Sequence, residues 1–107
     1  TFLTSFQYSV IEEKNVNLEV NMRTILAIFR SRSETLSFAN ILKSYGVGVS
    51  IINTPRSANV SCGISASFSA SGLEHARNIV ARRNFFSFAG FFEIMPSNNH
   101  DISLRRL

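Results

Sequence analysis

The sequence predicts an α+β fold, and three observations predict it. Short apolar runs of strand character and two stretches of helical spacing follow one another as strand, helix, strand, strand, helix, strand. Each helical stretch opens on a Ser-x-x-Glu signature. The chain has 107 residues, enough for one modest core and too few for two ordinary domains.

Residues 24–30 (TILAIFR) form an apolar run suited to a central strand. Ser31 and Glu34 then read as a capping box that closes the first turn of a helix. Phe38, Ala39, Ile41, Leu42 and Tyr45 follow at helical spacing as one apolar stripe, and Gly46 is placed to end the helix. Residues 47–53 (VGVSIIN) read as a second strand, ended by Thr54-Pro55. In the third, Ile64, Ala66 and Phe68 alternate with Ser65, Ser67 and Ser69, which gives one buried face. Ser71 and Glu74 read as a second capping box. It opens a helix with Leu73, Ala76, Ile79 and Val80 facing inward, and Arg82 and Arg83 in the last turn, where the helix dipole favours cations. Residues 85–94 form the fourth strand, with Phe86, Phe88, Phe92 and Ile94 expected on one face and Phe85 and Phe91 on the other.

A βαββαβ string of this length specifies a ferredoxin-like arrangement, a four-stranded antiparallel sheet with two helices on one face, here within residues 22–96. Residues 1–21 fall outside it. Val16, Leu18 and Val20 alternate with polar residues, so this segment reads as a hairpin arm or as an extension ahead of a start at Met22. Pro96 and the polar stretch that follows read as a flexible tail, residues 97–107.

With 45% hydrophobic and 17% charged residues the chain is expected to fold, and ten Phe without Trp concentrate buried area in a few side chains. Its one cysteine cannot form an internal disulfide. The first ten residues lack the basic and apolar regions of a signal peptide, and no apolar run approaches the roughly 20 residues that span a bilayer. The expectation is a cytoplasmic protein without a membrane partner, in which Cys62 is a free thiol. The net charge of +4 comes from nine arginines and two lysines against seven acidic residues. Such a balance suits an anionic partner (nucleic acid, phosphate or another small anion) or simply a soluble basic surface.

The chemistry concentrates in residues 54–63 (TPRSANVSCG). Ser61 and Gly63 leave the Cys62 sulfur accessible on both sides, whereas a small buried hydrophobe is the ordinary role of a free cysteine. In the expected topology the first and second strands run parallel, so their C-terminal ends share one edge. That edge would gather Arg56 and Cys62, Arg30 and Arg32 at the start of the first helix, and Arg82 and Arg83 at the end of the second. Five guanidiniums and a helix N-terminus there could stabilise a thiolate or hold an anion, or the arginines could simply be solvated. His75 belongs to the opposite edge and His100 to the tail, which disfavours a Cys–His dyad. No Cys or His pair has metal-ligand spacing, and no glycine-rich loop precedes a helix, so neither metal nor cofactor is expected.

Thr54-Pro55-Arg56 followed by Ser61-Cys62-Gly63, within a strand–helix–strand–strand–helix–strand frame, resembles the small bacterial selenium/sulfur carrier protein-like family. The resemblance covers roughly residues 24–94, and the extra residues 1–21 depart from the compact family domain. It implies that Cys62 carries sulfur or selenium as a persulfide or perselenide, with Arg56 as its neighbour. It further implies a carrier that works with donor and acceptor proteins rather than a turnover enzyme. An RNA-binding module shares the same element order, but its bases would stack on aromatics of the third and first strands, and the open face of the third strand is expected to carry serines here. A third reading is a protein-interaction domain, with homodimers formed through an open sheet face carrying Phe85 and Phe91.

Overall fold

A computed structural model describes residues 23–59, 62–95 and 102–107; the expected arm at 1–21, Met22, Ser61, Pro96 and His100 lie outside them. The described residues form strands β1 (Thr24–Phe29), β2 (Val49–Asn53), β3 (Ile64–Ser69), β4 (Phe88–Met95) and β5 (Ser103–Arg106), and helices α1 (Arg32–Ser44) and α2 (Leu73–Arg82). The sheet order is β2-β3-β1-β4-β5, and every neighbouring pair is antiparallel.

β1 occupies the centre because its sequence is apolar on both faces. Ile25, Ala27 and Phe29 point to the helices, Leu26 and Ile28 to the other side, and all five are fully buried. On the helix side Phe38, Ala39 and Leu42 of α1 and Ala76 and Ile79 of α2 close over Ala66, Phe68 and Phe91. The Phe29 ring centroid lies 5.1–5.2 Å from those of Phe38, Phe85 and Phe88, tilted or edge-on, as ring quadrupoles favour. α1 ends as expected, with the Gly46 N–H donating to the Lys43 carbonyl.

The sheet has five strands where four are expected, and the fifth comes from the segment expected as a tail. β5 holds because each of its residues 104–106 meets a partner on β4 or below it. Leu104 packs with Leu26, Ile28 and Phe92 on the helix-free face, and the Arg106 guanidinium lies 5.5 Å from the Phe92 ring centroid. Arg105 stands opposite Glu93 and donates to its Oε1 at 2.5 Å, while Arg23 Nε donates to Oε2 at 2.8 Å. Glu93 is only 6% exposed, so a charged carboxylate there requires such partners. The hydrogen bond from Arg23, reinforced by Arg105, holds this carboxyl down at about 2 against the desolvation that opposes it.

Two local expectations are corrected. The face pattern of the fourth strand breaks at a bulge: Ile28 pairs with Gly90 but Phe29 with Phe88, so Ala89 is an extra residue. Gly90 sits there at φ +143°. Phe88 and Phe91 therefore share the helix face, Phe92 and Ile94 take the other, and Phe86 lies in the preceding turn. Phe85 and Phe91 are packed against the helices, so neither ring is available on an open sheet face for homodimer pairing. The second capping box is also absent. α2 begins after Gly72, with Ser71 drawn into a 3-10 turn (Ala70–Gly72) where its hydroxyl lies 2.7 Å from that of Ser69. A Cβ at Gly72 would come within 2.6 Å of Val47, so this close approach calls for glycine at the helix N-cap.

Candidate functional site

Cys62 lies two residues before β3. Because β3 runs antiparallel to β1, its start lies beside the end of β1, where α1 begins. The first turn of α1 is organised by Ser31, whose hydroxyl accepts from Glu34 N at 3.3 Å and whose carbonyl accepts from Thr35 N at 3.0 Å. Thr35 is three and four residues before the inward-facing Phe38 and Ala39, so it also faces in, fully buried. Its hydroxyl donates to the Ser31 carbonyl at 3.0 Å, and Thr35 Oγ1 lies 3.7 Å from Cys62 Sγ. The thiol in turn donates to the Ile64 carbonyl at 3.6 Å.

The chain that follows the half-buried Cys62 is pinned. Gly63 has φ +101°, and its carbonyl accepts from Thr54 N at 3.0 Å. A Cβ at Gly63 would meet nothing within 4 Å, so the left-handed backbone, not crowding, calls for glycine. Thr54 Oγ1 lies 2.5 Å from the hydroxyl of buried Ser65. A sulfur anion here could no longer donate to Ile64, but among the described residues it has a side-chain donor in reach, because the Thr35 hydroxyl can turn from Ser31 toward it. Neither Thr35 nor this exchange was expected from sequence; the signal lay in its register with the α1 stripe.

The five arginines stand as follows. Arg30 follows β1 and its N–H donates to Ser87 O at 2.8 Å; Arg32 opens α1; Arg56 opens a 3-10 turn, Arg56–Ala58. That turn packs by Ala58 toward the helix-free face, and Ser57 Oγ donates to Ile102 O at 2.8 Å, whereas Cys62 touches α1. Arg82 ends α2 and Arg83 caps it. Both line a surface cavity of about 250 Å³ between the helices, together with Tyr45 and His75, whose rings stack 5.5 Å apart. All five side chains are exposed, and among the described residues none forms an ion pair or a hydrogen bond to the Cys62 sulfur.

Glu34 does more than the expected cap. Its carboxylate does not return to Ser31 N, which donates instead to Ser87 Oγ at 3.0 Å. It accepts from Phe86 N at 2.9 Å, from Ser87 N at 2.8 Å and from the Ser87 hydroxyl. The Ser87 hydroxyl first, and then these two amides, lower its carboxyl below the usual range despite some desolvation. The turn before β4 is thus fastened to the same helical turn that holds the thiol.

Among the described residues no group of three or more His, Cys, Asp and Glu is placed to hold a metal ion, and no helix is long and apolar enough to cross a membrane. A family model described as "Putative Se/S carrier protein-like" matches residues 24–93, well over half of the chain; β5 lies beyond the match. No curated protein and no solved structure matches.

Proposed function

The chain belongs to the Se/S carrier protein-like family, and from that premise we propose that it carries one sulfur or selenium atom on Cys62 between a donor and an acceptor protein. The observation that carries this reading is the position of the single cysteine, half-exposed, with its sulfur against the first turn of α1. In the loading step the Cys62 thiolate attacks the outer sulfur of a donor persulfide. The donor S–S bond breaks, a new S–S bond forms on Cys62, and the donor leaves as a thiolate, with no net oxidation. An acceptor thiolate repeats the exchange. The chain has no second cysteine to resolve the persulfide, so the atom stays until an acceptor arrives.

On this reading residues 22–96 are the carrier unit, with β1 to β4 and the two helices in a ferredoxin-like arrangement to which β5 is added. The protein works in a reducing, cytoplasmic setting. Arg30, Arg32, Arg56, Arg82 and Arg83 lend a positive field that favours an anionic persulfide or perselenide, and Gly63 and Ser61 keep its approach open. The RNA-binding alternative has less support, since β1 offers buried Leu26 and Ile28 and β3 offers Ser65 and Ser67 on the face where bases would stack.

The test is incubation with a cysteine desulfurase and cysteine, or with the desulfurase and selenocysteine under anaerobic conditions so that a donor persulfide or perselenide is the source, followed by intact mass measurement. Wild type gains one chalcogen atom, removable by dithiothreitol, and Cys62→Ser gains none. If wild type stays unloaded under both conditions, the carrier reading fails.

A further inference from the structure

Of the eight described phenylalanines, seven are buried or half-buried, while Phe86 is 93% exposed. Single exposed apolar residues are ordinary, so exposure alone says little. Phe86 differs in how it is held. Its own N–H, the Ser87 N–H and the Ser87 hydroxyl all donate to one carboxylate, Glu34, and the Ser87 hydroxyl also accepts from Ser31 N. The adjoining backbone is fixed again by Arg30 N to Ser87 O at 2.8 Å and by Phe85 N to Arg83 O at 3.1 Å. An aromatic ring is thus presented to solvent on a turn whose backbone is already ordered, which lowers the entropic cost of binding through it.

Two further observations give this ring a partner. Glu34, which fastens the Phe86 turn, and Thr35, which lies against the Cys62 sulfur, are consecutive residues of one helical turn. Around the turn stand Arg30, Arg32 and Arg83, exposed and without an ion pair among the described residues. An aromatic anchor within a rim of unpaired guanidiniums is complementary to an apolar pocket edged by carboxylates.

We propose that Phe86, with Arg30, Arg32 and Arg83, is the docking surface for the protein that delivers the chalcogen to Cys62, and that this donor offers an apolar pocket rimmed by acidic residues. The inference rests on the carrier reading of Cys62. Phe86 anchors the complex, the arginines steer it, and the shared turn of α1 sets the anchored donor beside the thiol.

The experiment compares two sources of sulfur for wild type, Phe86→Ser and the charge reversal Arg30→Glu/Arg83→Glu. One source is inorganic polysulfide, which needs no docking; the other is a cysteine desulfurase supplied with cysteine. Loading is followed by intact mass. Wild type and Phe86→Ser should load from polysulfide at equal rates, while the charge reversal, whose arginines also lend the field at Cys62, is read only by how its desulfurase loading changes with salt. From the desulfurase at low carrier concentration, Phe86→Ser should load roughly tenfold more slowly, as loss of an anchoring aromatic implies. Its rate should recover as its concentration is raised, and the charge reversal should be slow chiefly at low salt. Equal loading of wild type and Phe86→Ser by the desulfurase, with normal polysulfide loading, overturns the docking surface and leaves the carrier reading intact. Absence of loading of the wild type from either source overturns both.

Discussion

The hydroxyl oxygen of Thr35 lies 3.7 Å from the sulfur of Cys62, and its proton is directed to the Ser31 carbonyl. The neutral thiol and a sulfur anion therefore ask different things of Thr35: an oxygen to lean on, or a donor. Thr35→Val keeps the shape and removes that donor, whereas Thr35→Ser keeps the hydroxyl. We expect Thr35→Val to alkylate with iodoacetamide several-fold more slowly at neutral pH and Thr35→Ser to stay near wild type. The lost bond to Ser31 should cost about 1 kcal/mol of stability, readable by urea unfolding.

Glu93 ties Arg23 to β4 and β5 to the sheet, and its carboxyl is held at about 2 against an ordinary 4.5. A folded value below the unfolded one means stability that is fully present above about 4.5. It declines as pH falls from there and is gone once pH passes about 2. Glu34, also lowered, acts in the same direction. Thermal midpoints recorded from pH 7 to pH 2.5 should fall below pH 4.5. Glu93→Gln should start lower at pH 7 and fall less steeply.

Gly90 and Gly63 both have positive φ, but only one is crowded. A Cβ at Gly90 would stand 3.2 Å from the Arg106 guanidinium, while at Gly63 it meets open space. Gly63→Ala should cost about 1–3 kcal/mol from backbone strain alone. Gly90→Ala should cost more than that and loosen β5 as well, which amide hydrogen exchange at residues 103–106 would register.

Phe29 and Phe86 make a paired control. Phe29 is fully buried against three other rings, so Phe29→Ala should cost about 3–5 kcal/mol. Phe86→Ala should stay within about 0.5 kcal/mol of wild type, since nothing packs over the ring. Both are read from the same denaturant titration.

Local pattern was legible wherever one residue's neighbours in sequence are also its neighbours in space. The apolar run of β1, the stripe of α1, the cap at Ser31 and the alternation of β3 followed directly from the spacing of Ile25–Phe29, Phe38, Leu42 and Ile64–Phe68. The element order brought Cys62 to the start of α1, because an antiparallel third strand must begin where the first ends. Thr35 could have been found by extending the α1 stripe back one turn.

What the sequence by itself determined was the α+β class, the order of the first four strands and two helices, and a single thiol at one end of the sheet. Only the tertiary structure decided that β5 joins the sheet, because Arg105 finds a buried carboxylate, Glu93, twelve residues earlier in the chain. It also decided which phenylalanines face the helices, since the bulge at Ala89 depends on the register with β1 and leaves no mark in the alternation of β4 itself. It gave Glu34 to Ser87 instead of to its own cap, and so left Phe86 standing in solvent beside the turn that holds Cys62. Each of these is a contact between residues distant in sequence, where burial and charge pairing outweigh the short-range preferences that a linear pattern records.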